Sequence, residues 1–206
     1  AAGENAVSRS ALESALARGH PVVALEFRLP GAHSVRVDDA EGGRLAGACL
    51  SPRVREAVVF RGRDQGRRGD ARVRGFKEAL GRGPGRVSEV TVPEAGFEAG
   101  LSAGRGLRRS RRGRLGLFSA WGDLVALGLL QALKARGWSL GRDVLVVGYD
   151  DLRFLPYQSP GLTTVHQPLT ELGLQAASLA AEVLSRPEGP AREIVLKPTL
   201  ARRDTA

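Results

Sequence analysis

The stretch Asp143-Val144-Leu145-Val146-Val147-Gly148-Tyr149-Asp150-Asp151 decides the fold of this chain. Its apolar run is β-branched and unbroken, too short for a buried helix, and without the alternation of a half-exposed strand. A strand covered on both faces has this pattern, and such strands belong to parallel sheets.

Working outward, Asp123 is placed to cap a helix on which Ala126, Leu129, Leu130 and Leu133 form an apolar stripe, with Gly137 ending it. Strands are expected at 115–118, 56–60 and 87–92. One helix is expected from Asp70, with Val73, Phe76 and Leu80 on one face, and another from about Phe97. Nearer the amino terminus, Ser10-Ala11-Leu12-Glu13 has the spacing of a capping box, opening a helix that Gly19 stops. Residues 21–25 read as a buried strand and 34–37 as a short strand or connector; Asp39 then caps a helix to about Leu50. Downstream, a proline-marked loop leads to a stripe of Leu169, Leu172, Ala176, Leu179 and Val183. A last strand at 193–196 precedes a polar tail. Strands alternating with helices give an α/β fold with right-handed crossovers.

The composition narrows the function. With 206 residues, 42% hydrophobic and 26% charged, the chain is an ordinary soluble globular protein with room for one large domain or two lobes. No apolar run approaches the roughly 18 residues that span a bilayer, and the first residues lack the pattern of a secretory leader. The lone Cys49 excludes an internal disulfide and fits a reducing cytoplasm. Methionine is absent even at position 1, so the sequence reads as starting inside a longer protein. The net charge of +9 suggests a polyanion partner, but its basic stretches, 61–74 and 105–114, are glycine-rich and lack interleaved aromatics. They read as solvated loops.

Catalytic signatures are missing: no phosphate-cradling Gly-Lys-Ser/Thr loop, no nucleophile elbow, no zinc-binding His-Glu-x-x-His. Gly81-Arg82-Gly83-Pro84-Gly85 reads as a turn, Cys49 as a small buried hydrophobe, and His20 and His33 as surface residues. No metal or cofactor is expected, and the chain reads as a non-enzyme. Asp150-Asp151 lie just beyond the decisive strand, where open α/β sheets place ligands. Neighbours on an extended chain point apart, so they do not make a cooperating acid pair. One carboxylate suits a ligand's hydroxyls or amines, and an ordinary loop cap would use the same residue.

Gly148-Tyr149-Asp150-Asp151, followed by residues 159–168 (Ser-Pro-Gly-Leu-Thr-Thr-Val-His-Gln-Pro), resembles a signature of the LacI/GalR family of transcriptional regulators. Four further segments resemble the family in the same order: 118–128, Val35-Arg36-Val37-Asp38-Asp39 through Gly43, Arg72-Val73-Arg74-Gly75-Phe76, and the tail 198–204. The resemblance implies a periplasmic-binding-protein-like effector domain of two lobes, each a parallel sheet flanked by helices, with a sugar or purine-like effector in the cleft between them. It implies an amino-terminal lobe of 1–35 plus 164–196 and a carboxy-terminal lobe of 36–163 plus 197–206. Arg72 matches the family's effector-gripping arginine and Asp150 its accepting aspartate; Phe118 matches an aromatic that stacks on purines. Glu26, Phe27, Asp38 and Gln167 match cleft-lining or hinge positions. Gly122 stands where the family has a sugar-contacting asparagine, with Trp121 beside it.

The family also implies a homodimer, through Leu127 to Leu130 and the loop around Phe154 and Tyr157, and operator DNA as a partner reached only through a headpiece absent from this sequence. No membrane partner is implied. The alternative is a solute-binding protein of a sugar importer, which shares the lobes but not the DNA.

Overall fold

In the computed structural model, residues 6–63, 65–81, 86–186 and 189–206 are described. Arg82 to Gly85 of the glycine-rich turn lie outside them. The chain divides into two units, residues 1–38 with 168–197 and residues 39–167 with 198–206.

The larger unit is built on a six-stranded sheet in the order β4-β3-β5-β6-β7-β9. Its strands are β3 (Glu56–Gly62), β4 (Arg86–Val92), β5 (Leu115–Ser119), β6 (Val144–Asp150), β7 (Thr163–His166) and β9 (Thr199–Ala201). All neighbours pair in parallel except β9, which runs antiparallel to β7. Strand alternation sends successive side chains to opposite faces, and both faces are apolar. Ala57, Val59, Phe118, Leu145, Val147 and Tyr149 pack beneath α2 (Asp39–Leu50) and α3 (Gly66–Leu80). Val58, Phe60, Leu115, Leu117, Val144 and Val146 pack with α4 (Phe97–Gly106) and α5 (Asp123–Ala135). Full burial of such a side chain contributes about 1.5–3 kcal/mol. This two-sided covering is what the unbroken apolar run at 144–147 encodes.

Close approach of α2 and α3 depends on two glycines. A Cβ at Gly43 would lie 2.0 Å from the carbonyl oxygen of Arg72, and one at Gly75 would lie 1.9 Å from that of Ala40. The obstacle is backbone in both cases, so neither helix can yield locally.

The smaller unit has a parallel sheet of β1 (Val23–Leu25), β2 (His33–Val37) and β8 (Glu193–Leu196), in the order β1-β2-β8. Helix α6 (Leu169–Ser185) lays Leu172, Ala176, Leu179 and Val183 on Val35, Val37 and Leu196. These positions recur at helical spacing, as the stripe predicts. Leu12, Ala15 and Leu16 of α1 (Ala6–Ala17) join Phe27 around Val22, Leu29 and Ala32.

Several local expectations change. Ser10 opens no helix: α1 begins four residues earlier, and Glu13 pairs with Arg9 one turn back at 3.0 Å. Likewise α3 begins at Gly66, so Asp70 lies within it and pairs with Arg61. His33 is a strand residue whose Nδ1 accepts from the backbone of Arg192 at 3.2 Å. The proline-marked loop contains β7, and the polar tail contains β9. Both are short, and their threonines hide the alternation that marks a strand. The units also part at other residues than expected. β2 continues to Val37 in the smaller sheet, while residues 164–166 pair with β6 in the larger one.

Candidate functional site

Polar side chains gather past the carboxyl ends of the larger sheet. Asp39, the first residue of α2, is buried; its Oδ2 accepts from Arg68 Nε at 2.8 Å and its Oδ1 from Arg72 Nε at 2.7 Å. Arg68 and Arg72 stand one turn apart on α3 and so share a face. Arg72 is also buried, donates Nη1 to the Ala120 carbonyl just beyond β5 at 3.1 Å, and stacks 3.7 Å above the Tyr149 ring. Tyr149 donates its hydroxyl to Asp39 Oδ1 at 3.3 Å. Arg68 Nη2 donates to Gln167 Oε1 at 3.1 Å, and Gln167 Nε2 donates to Asp150 Oδ1 at 2.6 Å. One continuous chain of hydrogen bonds therefore runs from Asp150 through Gln167 and Arg68 to Asp39 and Arg72.

The electrostatics follow from burial. Desolvation opposes the charge on Arg72, but Tyr149, Asp39 and Asp150 outweigh it, and its pKa lies above the ordinary value. Burial raises the Tyr149 hydroxyl and the Asp150 carboxyl, the latter against the pull of Arg72. Asp123 is fully buried at the start of α5 and is pushed up to about 7, by desolvation first and by the charge of Asp150 in part. Thr164 Oγ1 donates to its Oδ1 at 2.6 Å, and the Leu152 amide donates to its Oδ2 at 3.1 Å. The Asp123 amide in turn favours the charged form of Asp150, a minor influence against burial. So Asp123 is no simple helix cap: it braces the turn that carries Asp150.

The two aspartates at the end of β6 have separate roles. Asp151 is tied to Arg203 Nη2 at 2.7 Å and to His166 Nδ1 at 3.0 Å. Both residues take positive φ, 116° at Asp150 and 60° at Asp151. Gly122 also has positive φ, 109°, and a Cβ there would lie 2.7 Å from Asp150 Oδ2. A side chain at 122, where the family has an asparagine, would require this carboxylate to shift and would sit on a backbone that side chains rarely adopt.

Arg72, Asp150, Gly122 and Gln167 are thus brought together in one unit. Phe118 is wholly buried and stacked on Phe76 with centroids 4.9 Å apart, so its ring is engaged within the core. Trp121 is half-buried and covers Gly62, where any Cβ would collide with its ring. Glu26, Phe27 and Asp38 belong to the smaller unit. Phe27 packs in that unit's apolar cluster; the Glu26 amide donates to the Val35 carbonyl at 2.8 Å, and the Asp38 amide to that of Leu196 at 2.9 Å.

Arg68, Asp39 and Tyr149 were not singled out from sequence. The signal existed for Arg68, since its spacing to Arg72 is one helical turn, but a helix started at Asp70 leaves it in a loop. Among the described residues, no group of His, Cys, Asp and Glu could hold a metal ion, and no helix is long and apolar enough to cross a membrane.

Comparison with known proteins gives the class. The family model for a periplasmic binding protein-like domain matches residues 46–206. A LacI family transcriptional regulator from Enterococcus faecium, with bound ribose, superposes with a TM-score of 0.82 at 28% identity, covering 94% of this chain and 73% of that one. A second, from Enterococcus faecalis V583 and also with bound ribose, gives 0.84 at 26% identity, over 96% and 73%. The HTH-type transcriptional repressor PurR of Vibrio cholerae is 30% identical over 191 residues, 90% of this chain and 56% of that protein. The chain belongs to the periplasmic-binding-protein-like family, as an effector-binding domain of the LacI/GalR type. It spans about half the length of the curated relatives it matches.

Proposed function

We propose that this chain is the ligand-sensing part of a transcriptional repressor and binds a small sugar or purine-like effector through the larger unit's polar chain. The observation that carries this reading is the state of Arg72. Its Nε and Nη1 are engaged, while Nη2 has no hydrogen-bond partner among the described residues. A buried guanidinium held in a fixed orientation, with the Asp150 carboxylate in the same network, offers both donor and acceptor. Vicinal hydroxyls, or a purine edge, use both. The position past the carboxyl ends of the strands is where open α/β sheets bind ligands.

The ribose-bound Enterococcus relatives support the sugar class. In this reading operator DNA is the partner of the longer protein, and the described residues sense the ligand in the cytoplasm. The repressor relatives favour this over a sugar importer's binding protein.

A thermal-shift screen with ribose, other sugars and nucleobases tests the proposal. A hit at about 100 times its Kd raises stability by about 2.7 kcal/mol. Arg72→Lys and Asp150→Asn are expected to abolish most of that ligand-induced rise. An undiminished rise in both variants would show that the ligand sits elsewhere.

Homodimerisation belongs to the same proposal. Leu129 and Leu130, expected at the contact, are core residues of α5, but Tyr157 is 87% exposed and Phe154 43%. Phe154 lines a groove with Phe97, Leu127 and Pro160. Tyr157→Asp is expected to lower the sedimentation-derived mass toward that of a monomer; a dimer unchanged by it would move the interface away from this loop.

A further inference from the structure

A second polar recess lies at the other end of the same sheet. Arg114 immediately precedes β5 and Asp143 immediately precedes β6, so the recess sits at the amino-terminal ends of these strands. At about 3.3 Å per residue, strands of this length separate it from the Arg72 cluster by roughly 20 Å. It encloses about 250 Å³ lined by Arg109, Ser110, Arg114, Trp138, Arg142 and Asp143. That volume is many times the ~30 Å³ share of one water molecule.

Three arginines face one carboxylate there, and that carboxylate is already committed. Asp143 Oδ2 accepts from Arg109 Nη1 at 2.8 Å and from the Ser139 amide at 3.1 Å. Arg109 holds the Asp143 carboxyl below its ordinary range, and Arg142 adds to the effect. Arg109 is itself fixed: Nη2 donates to the Gly137 carbonyl at 3.1 Å, and its guanidinium lies 4.7 Å from the buried Trp138 ring. Among the described residues, neither Arg114 nor Arg142 forms a hydrogen bond or ion pair with any carboxylate. The recess thus has one oriented guanidinium, two available ones and a net positive charge.

We infer that this recess binds a phosphate group, as free phosphate or as the phosphoryl group of a small organic molecule. Guanidinium forks match the oxygens of a tetrahedral oxyanion, and a phosphoryl group near neutral pH carries nearly two negative charges. Two uncompensated arginines supply the complement. Trp138 is covered by arginines and serves as their platform, so no base-stacking surface is offered and a nucleic-acid strand is not the expected occupant. The site is separate from the proposed effector site.

The test is calorimetric titration of the full chain with inorganic phosphate and with methyl phosphate, at matched ionic strength. Saturable binding is expected. Arg114→Ala and Arg142→Ala are each expected to weaken it by about tenfold or more, the loss of a charge-assisted hydrogen bond. Both side chains are exposed, so the fold should survive. Arg108→Ala, an exposed charge outside the recess, should leave the affinity unchanged. Tighter binding of the ester identifies an organic phosphate, and equal binding a free one; either supports the inference. Heat that follows ionic strength alone, equal losses in Arg108→Ala, or binding of duplex DNA that phosphate does not displace would each overturn it.

Discussion

Asp39→Ala is expected to destabilise the larger unit by about 3–5 kcal/mol, the usual cost of removing one partner from a buried ion pair. Asp39 accepts from both Arg68 and Arg72, and Arg72 has only 7% of its surface exposed. Without the carboxylate, Arg72 keeps its bond to the Ala120 carbonyl and its stacking on Tyr149, neither of which neutralises a charge. Arg68 is more exposed and regains solvent more easily. The double variant Asp39→Ala/Arg72→Met should therefore recover much of the loss, because an apolar side chain can replace a buried charge without desolvation cost. Urea unfolding of the four proteins in the cycle measures this. Additive losses in the double variant would mean that the pairing drawn here is not what stabilises the unit.

Stability is also expected to fall as pH rises toward neutrality, through Asp123. Its carboxyl titrates at about 7 in the folded chain against an ordinary value of 3.8. Between those values the unfolded chain has released the proton and the folded chain still holds it, so the folded state binds more protons and loses stability with each step upward in pH. Each unit is worth about 1.4 kcal/mol until the folded carboxyl itself begins to ionise, so raising the pH from about 5 to about 7 should cost about 2 kcal/mol. Asp150, also raised by burial, acts in the same direction. The surface carboxylates whose pKa values are lowered, such as Glu193 beside Arg28 and Glu89 beside Lys77, are ionised throughout this window and add no slope. Asp123→Asn should flatten the profile in thermal unfolding followed from about pH 5 upward. An equal slope in wild type and variant would assign the pH dependence elsewhere.

The sequence carried the fold far better than the site. Strands buried on both faces, such as 144–147, show an apolar run that no tertiary partner can disguise, and helices such as α6 repeat their apolar residues every turn. β7 escaped because its burial uses hydroxyls as well as methyls, and β9 because its three residues are exposed or half-buried. Thr163 Oγ1 donates to the Ala206 carbonyl, and Thr205 Oγ1 to that of Val146. Resemblance placed Arg72, Asp150 and Gln167 in one cluster, but the residues that orient them depend on three-dimensional packing. Asp39 looks like a helix cap until α2 is laid against α3, and Phe118 looks available until its strand is seen to turn it toward Phe76.

The backbone after β6 has a further meaning. Asp150 adopts φ of 116°, where side chains are rarely found and glycine is at ease, and its carboxyl sits where burial disfavours charge. A chain selected for folding alone would place glycine there. The aspartate is the less stable choice on both counts, so under the proposed function stability and sensing compete at a single residue. The fold is weaker there than it needs to be, which is the trade-off that the proposed recognition role entails.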